Sequence, residues 1–329
     1  MTGSRAPLAP TLRRLIVEPM PLGQRTLPPL GIILLATIGA VFLIVVATSR
    51  WASPNDEHAY WLAGQRLLDG APLYDPNASS ITPFAYWYPP VVAQVVAPIS
   101  AVIPSEAFSW AWTAVLLACL LFLAGGRPLV ALALVAYLPV ATELGFRNVH
   151  LILAVLIVLA IRRWPVLFAV GAAIKIAPGL GIVYLAARGR WRDAAITALV
   201  GRASLVVSVV VSPGAWGDFA DILRARGPGD ASAFVPIPYI VRAVVGLALA
   251  IAAGRLQPRI GEPLLVVAIG IALPTLWFTA LSTLAALVPL LAAGAGRATA
   301  PSPSAAGASG PAPSGPAPSG SGPNAPAGA

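Results

Sequence analysis

The chain has 329 residues, of which 58% are hydrophobic and 10% charged, and its mean hydropathy is +0.82. Soluble domains carry roughly 25% charged residues, so this composition excludes an ordinary soluble protein. Lipid cannot satisfy an open backbone, and the apolar runs lack the alternation of barrel strands. The sequence therefore predicts an all-α polytopic membrane protein.

The net charge of +9 comes mostly from basic residues at the ends of apolar runs. Such a pattern is an orientation signal rather than a nucleic-acid patch, so we expect no nucleic-acid partner. It predicts a multi-pass protein of the plasma membrane, surrounded by membrane lipids, whose N-terminus and C-terminal tail are cytoplasmic. The one cysteine, Cys119, lies in an apolar run, which excludes an intrachain disulfide and a cysteine-based metal site.

Three regions follow one another along the chain. Residues 1–27 are polar and Pro-rich and predict a weakly ordered cytoplasmic segment. Residues 28–297 predict the transmembrane domain. Residues 298–329 consist almost entirely of Ala, Pro, Gly and Ser, so they lack core-forming residues and predict a disordered cytoplasmic tail.

The transmembrane domain begins with a crossing at residues 30–49, which we predict to be a retained helix because its apolar run exceeds a signal-peptide core. Residues 50–90 then form a large first extracytoplasmic loop. Residues 91–103 are short for a crossing and predict a juxtamembrane or re-entrant helix. Residues 165–187 lie between two Arg clusters and favour a hairpin of two half-crossings hinged near Lys175–Pro178.

Further crossings bring the predicted total to about eight to ten membrane segments. They are expected at residues 106–125, 128–145, 151–161, 194–212, 236–253, 263–280 and 282–296, with a second outer loop at 213–235.

The 50–90 loop is the longest polar interruption of the apolar chain and holds Asp56, Glu57 and His58. Asp56 follows the first crossing, so we expect it at the outer membrane surface, where a carboxylate can act as a general base. The alternative is a solvated acid or a helix cap. Three consecutive ligand-type residues at a helix start converge poorly on one ion, so we predict neither a metal site nor another cofactor.

Aromatic residues accompany these acids. Residues 57–69 predict an amphipathic helix on the membrane, with Tyr60, Leu67 and Leu68 facing lipid. Tyr88 belongs to a run of aromatics that closes the loop. That run is either an interfacial belt or a wall for a sugar ring or lipid.

Three cations stand out. Lys175, the only lysine, lies within an apolar run, where a charge costs about 2.5–3.5 kcal/mol. Its expected partner is a lipid phosphate or an acid on another helix, and Arg242 is a similar case. Arg147 and Asn148 form, with His150, a polar cluster in a short outer link that either binds phosphate or sugar or caps two helices.

Six short motifs, in order over about residues 30–295, resemble those of the GT-C class of membrane glycosyltransferases, specifically glycosyltransferase family 87. They are Asp56-x3-Tyr60, the turn at 70–74, Tyr88-Pro-Pro with the short helix and Pro98, Gly145–Asn148, Ala173–Pro178, and Pro274 with Trp277.

The resemblance implies a GT-C-like helical bundle that moves a sugar from a polyprenyl-phosphate donor to a lipid or glycan acceptor on the outer membrane face. Mannose and arabinofuranose are the expected sugars, and the acceptor is a glycolipid or a cell-envelope glycan. The residue matching the family's base is Asp56, and the reaction inverts the anomeric carbon. Lys175, with Arg147 or Arg242, would stabilise the phosphate charge. Substrate contacts are expected from Glu57, His58, Tyr60, Tyr88 and Asn148.

Two other classes compete with this interpretation. A transporter or lipid flippase predicts inverted repeats and charges in both halves, whereas no repeat is visible and Lys175 has no counterpart acid nearby in sequence. A non-catalytic scaffold leaves the acidic outer loop unexplained.

Overall fold

The structure is a computed structural model that describes residues 16–22, 25–48, 55–78, 82–226 and 236–298. Helices dominate, which confirms the all-α membrane class. The helices are α1 (Leu30–Thr48), α2 (Asp56–Leu68), α3 (Pro90–Ser100), α4 (Ser105–Leu123), α5 (Pro128–Val135), α6 (Leu138–Phe146), α7 (His150–Arg162), α8 (Leu167–Ile174), α9 (Leu180–Ala187), α10 (Trp191–Val211), α11 (Pro213–Arg226), α12 (Tyr239–Arg255), α13 (Pro258–Ile271) and α14 (Leu287–Ala298).

Smaller elements complete the described chain. Short 3-10 segments precede α9 and α14, at Ala177–Gly179 and Phe278–Ala286. Strands β1 (Met20–Leu22) and β2 (Arg25–Leu27) pair antiparallel in the segment that was predicted to be weakly ordered. Residues 1–15 and the predicted tail from 299 onward lie outside the described residues.

Three described helices are long and apolar enough to cross a bilayer singly: α1, α4 and α10. In α1 the apolar residues cover all sides and only Ala36 and Gly39 are buried, as expected of a helix that faces lipid on most of its circumference. The bent pair α5–α6 makes a fourth span if it is counted as one. Shorter apolar helices occur as well, so the count of eight to ten segments stays a prediction.

The crossing predicted at 128–145 is wrong as a single helix. The chain bends by 91° between α5 and α6, and Pro139 stands in the first turn of α6. Proline has no backbone N–H and clashes with the preceding helical turn, so a new helix starts there more readily than the old one continues. The bend turns α6 into the protein interior, where all of its residues from Pro139 to Gly145 are buried.

The break predicted near Lys175–Pro178 is confirmed. A Cβ built on Gly181 would lie 2.2 Å from the Phe168 ring, and one on Gly171 would lie 2.9 Å from the Cβ of Pro178. A straight helix would separate residues 168 and 181 by about 20 Å, so α8 and α9 fold back on each other. Glycine at these positions permits the close approach, and Lys175 lies at the tip of the hairpin.

Two other boundaries differ from the prediction. Residues 213–226 of the second outer loop form the helix α11, and residues 227–235 lie outside the described part. The span predicted at 263–280 ends at Ile271 and is followed by an irregular segment that contains Pro274. A proline lacks the donor that a helix needs and restricts the residue before it, which explains the early end.

The buried side chains form two cores. The larger one is aliphatic and is built mainly from helices between α4 and α14. The smaller one is rich in aromatics and includes Tyr60, Tyr74, Tyr86, Tyr88 and Phe108. It also contains Val149 and Leu153, so the α6–α7 turn lies where the two cores meet.

We predict that Gly181→Ala destabilises the protein by about 1–3 kcal/mol, because the added methyl group meets the fully buried Phe168 ring. Gly217→Ala is the matched control, since a Cβ there meets nothing within 4 Å and alanine favours the helix. Thermal melting of both variants in detergent checks this. A melting temperature of Gly181→Ala that equals or exceeds that of the wild type would contradict the hairpin packing.

Candidate active site

The N-terminus of α2 docks onto the turn between α6 and α7. Asn55 Nδ2 donates to the Gly145 carbonyl at 3.0 Å, and the Asp56 carboxylate accepts a short hydrogen bond from Asn148 Nδ2. Arg147 has φ of +52°, a left-handed conformation that most side chains avoid. It ends α6 and reverses the chain, which brings Arg147 and Asn148 against α2.

Glu57 and Arg147 form an internal ion pair. Their Oε1 and NH1 atoms are 2.7 Å apart, and the Glu57 side chain is fully buried. Glu57 also accepts hydrogen bonds from the Ser109 hydroxyl at 2.9 Å and from the Asn55 backbone N–H at 3.1 Å. Both charged residues were expected to contact substrate, and the structure places them against each other beside Asp56.

Asn148 connects Asp56 to two buried tyrosines. Its Oδ1 accepts from the Tyr88 hydroxyl at 2.8 Å and from the Val149 backbone N–H at 2.7 Å. The Tyr60 hydroxyl donates to that of Tyr88 at 3.0 Å. These donors fix the amide with its oxygen toward the tyrosines and its nitrogen toward Asp56.

The prediction that Tyr60 faces lipid is wrong. Its side chain is 1% exposed and packs against the rings of Tyr88 and Trp112 at 5.0 and 5.2 Å. This face of α2 covers the aromatic core. Leu68 is exposed as predicted, whereas Leu67 packs against the same core.

Burial raises the pKa of Asp56 to about 6, and the nearby Glu143 adds to the shift. Lys175 and the hydrogen bond from Asn148 oppose it. A carboxyl group with this pKa is largely ionised at neutral pH and still basic enough to accept a proton in a reaction. Burial raises the pKa of Tyr60 and Tyr88 well above the usual range, so both hydroxyls remain donors.

A second series of side-chain hydrogen bonds joins Glu143, His150 and Lys175. His150 Nδ1 is 3.0 Å from Glu143 Oε2, and His150 Nε2 is 2.8 Å from Lys175 Nζ. Lys175 Nζ also lies 5.3 Å from the centre of the Tyr88 ring. The hydrogen-bond contact of Lys175 in the structure is His150, which in turn faces the acid Glu143 on another helix.

Sequence reasoning missed Glu143. The available signal was an acid inside an apolar run, which is costly in a membrane and therefore marks a site or a buried pair. The run was interpreted as one crossing, which hid the bend that brings Glu143 to His150.

Exposure divides these residues into two groups. Glu143 is 0% exposed and His150 is 1% exposed, whereas Asp56 and Lys175 are both half-buried. Asp56 and Lys175 therefore keep part of their surface exposed beside a fully buried hydrogen-bonded pair, Glu143 and His150. An acid and a cation in this arrangement can accept a proton and stabilise an anion in one reaction.

Two predicted site residues, His58 and Arg242, make contacts of other kinds. The His58 ring stacks on Trp61 with centroids 5.9 Å apart and meets the edge of Phe84 at 4.8 Å. Its buried Nδ1 has no hydrogen-bond partner among the described residues. Arg242 is buried in α12 and donates to the carbonyls of Ile237, Ile271, Leu273 and Pro274, which secures the irregular segment after α13.

Potential metal ligands are dispersed in the part of the chain that the structure describes. No three His, Cys, Asp or Glu side chains there lie together as an ion site.

A helical membrane bundle that presents an accessible acid and cation at a broken helix defines an integral membrane protein with an enzyme-like site. The family model for glycosyltransferase family 87 matches residues 86–306, more than half of the chain. The chain belongs to this family and is a membrane glycosyltransferase, which confirms the resemblance carried by the motifs. The match includes Tyr88, Asn148 and Lys175 and begins after α2, so Asp56 lies outside it. No curated protein and no solved structure matches the chain.

We predict that Glu57→Ala lowers the stability by about 3–5 kcal/mol, because it removes the fully buried carboxylate of an internal ion pair with Arg147. Asp221→Ala is the control, since it breaks an exposed ion pair with Arg224 and should leave the melting temperature almost unchanged. Thermal melting in detergent measures both. Similar melting temperatures for the two variants would argue against a structural ion pair at Glu57.

Proposed function

We propose that this glycosyltransferase moves a sugar from a polyprenyl-phosphate donor to a glycolipid or cell-envelope glycan on the outer membrane face. The sugar is mannose or arabinofuranose, Asp56 is the general base, and the anomeric carbon is inverted. The observation that carries the proposal is the presence of two half-buried groups of opposite charge, Asp56 and Lys175, at the meeting point of the two cores.

The reaction needs one proton acceptor and one anion stabiliser. As the acceptor hydroxyl oxygen forms a bond to the anomeric carbon, its proton passes to the Asp56 carboxylate. The bond from the anomeric carbon to the phosphate oxygen breaks, and its electron pair leaves with the polyprenyl phosphate. The Lys175 ammonium stabilises the negative charge on that leaving group. Asp56 then releases its proton to water.

Inversion follows from the number of carboxylates that can reach the sugar. Glu57 and Glu143 are both 0% exposed and hydrogen-bonded, so neither is free to act as a nucleophile. Asp56 is left as the accessible acid of this cluster. One base and no carboxylate nucleophile support a single displacement, which inverts the reacting carbon.

The lipid nature of the donor is supported by the setting of Lys175. The hairpin α8–α9 places this ammonium at a helix break between apolar segments. Broken helices of this kind are tolerated where they line a cavity, and they commonly mark binding sites. The excess of basic residues at alternate ends of the apolar runs supports an outer-face location for Asp56.

We expect Asp56→Asn to reduce sugar transfer by roughly 10²–10⁴-fold, because the amide keeps the shape of the side chain and cannot accept the proton. The matched control is Asp69→Asn, the same change at an exposed position at the end of α2. Transfer is measured in membranes with matched expression, using radiolabelled polyprenyl-phosphate-mannose or -arabinose and a mixed lipid acceptor pool.

Equal transfer by Asp56→Asn and wild type would remove Asp56 from the mechanism. If neither donor gives transfer with wild type, the proposed donor class is wrong. Loss in both Asp56→Asn and Asp69→Asn would indicate a general effect on the loop rather than loss of a base.

The pKa of Asp56 predicts an acid limb in kcat/KM. Transfer should rise with pH through about 6 and then level, because below this pKa the carboxyl group already holds a proton. Asn148→Ala should move the midpoint upward, since the lost hydrogen bond stabilised the ionised form. Asn77→Ala, at an exposed loop position, should leave the midpoint in place. A midpoint that is unchanged in Asn148→Ala would show that another group controls the limb.

A further inference from the structure

The proposed mechanism uses Lys175 and leaves two buried groups behind it unexplained. We propose that Glu143 and His150 are positioning residues that together fix the tautomer of His150 and hold the Lys175 ammonium toward the donor phosphate. The inference rests on the proposed function for the identity of that phosphate. Both residues act through Lys175, since their side chains are at most 1% exposed and cannot touch a substrate.

Two backbone N–H groups and the His150 ring contact the Glu143 carboxylate. Its Oε1 accepts from the backbone N–H of His150 at 2.5 Å and of Leu151 at 3.3 Å, and its Oε2 faces His150 Nδ1 at 3.0 Å. The two backbone donors belong to the first turn of α7, where a helix has unsatisfied N–H groups and favours a negative charge. The carboxylate of one helix therefore caps the next and fixes the His150 ring.

The Glu143 carboxylate at one end and the Lys175 ammonium at the other set the donor-to-acceptor direction of these hydrogen bonds. A carboxylate accepts only, so His150 Nδ1 carries a hydrogen and donates to it. In the neutral imidazole, Nε2 then keeps its lone pair. The ammonium of Lys175 has three donors and no acceptor, and it lies 2.8 Å from Nε2. Lys175 therefore donates to His150, and His150 donates to Glu143.

These hydrogen bonds restrict the flexible, half-buried side chain of Lys175. Lys175 lies at the hairpin tip, in extended backbone between α8 and the following 3-10 segment. Its stem has many rotamers, and an ammonium is a mobile point charge unless an acceptor holds it. The bond to His150 and the Tyr88 ring 5.3 Å away restrict Nζ before the donor arrives. A charge ordered in advance stabilises a developing anion without reorganisation.

Glu143→Gln tests this series of hydrogen bonds with almost no change in side-chain volume. The Gln carbonyl can still accept from the backbone N–H groups, so its NH2 group turns toward His150 Nδ1. Nδ1 then becomes the acceptor and the ring hydrogen moves to Nε2, where it faces the Lys175 ammonium. The contact that held Lys175 becomes a repulsion. Glu106→Gln, the same change at an exposed site in the first turn of α4, is the matched control.

Lys175 can be observed directly because it is the only lysine of the chain. Protein labelled with ¹⁵N-lysine gives one side-chain NMR signal in nanodiscs. We expect wild type and Glu106→Gln to show one sharp Nζ signal that shifts when undecaprenyl phosphate is added. In Glu143→Gln the signal should broaden or move, and the Kd for undecaprenyl phosphate should rise at least tenfold. Inorganic phosphate at the same concentration is the second arm, and a response to it alone would overturn the assignment to a lipid phosphate.

A double-variant cycle separates positioning from general destabilisation. In a Lys175→Met background, Glu143→Gln should change the Kd by less than twofold, because the group through which it acts is gone. If Glu143→Gln weakens binding by the same factor in the Lys175→Met background as in the wild type, the proposal is overturned. It is also overturned if Glu143→Gln changes neither the Nζ signal nor the Kd. If Glu143→Gln fails to fold, His150→Phe removes Nε2 and should weaken binding in the same way. None of these readouts needs sugar transfer, so a failure of the proposed reaction is distinguishable from a failure of this inference.

Discussion

Burying charge between two apolar cores is the constraint on which this site depends. An ion taken out of water is costly unless a partner and hydrogen bonds compensate it. Glu57 has Arg147, and Glu143 has His150 together with two backbone N–H groups. Asp56 has the neutral amide of Asn148, which is the weakest compensation among the three. Asp56 is also the one of these three acids that is not fully buried, and this difference separates the proposed base from two structural acids.

Breaks in the backbone create the site. The 91° bend before α6 carries Glu143 inward, the left-handed Arg147 reverses the chain toward α2, and the fold-back between α8 and α9 brings in Lys175. A bundle of straight helices would leave these side chains on separate faces. Irregular backbone at membrane depth persists where it is buried in protein or lines a cavity. Here the close approaches at Gly171 and Gly181 stabilise it with packing.

The sequence was sufficient for features that depend on local pattern. It predicted the helical membrane class, the family, the first span and the break at Lys175–Pro178. It also selected Asp56, Asn148, Tyr88 and Lys175, which the structure brings together. Glu143 and the buried face of Tyr60 were missed, because their partners lie on other elements. The Asp56–Asn148 contact spans 92 positions, and a single sequence carries no record of such pairing. The bend before α6 was missed because a run of hydrophobic residues looks alike in one span and in two short helices.

The position of the family match bears on how Asp56, the proposed base, is held. The match starts at residue 86, yet the groups that bond Asp56 directly and orient its partner, Asn148 and Tyr88, lie within it. Asp56 is thus attached to the family-matched part by hydrogen bonds rather than by a shared helix. A neutral partner suits a base better than a cation would, because a guanidinium in place of the Asn148 amide would stabilise the carboxylate and lower its pKa. The adjacent Arg147 carries such a group, and its ion pair with Glu57 directs that charge to another acid. A neutral amide beside Asp56 and a cation that is paired with another acid therefore preserve the basicity of Asp56.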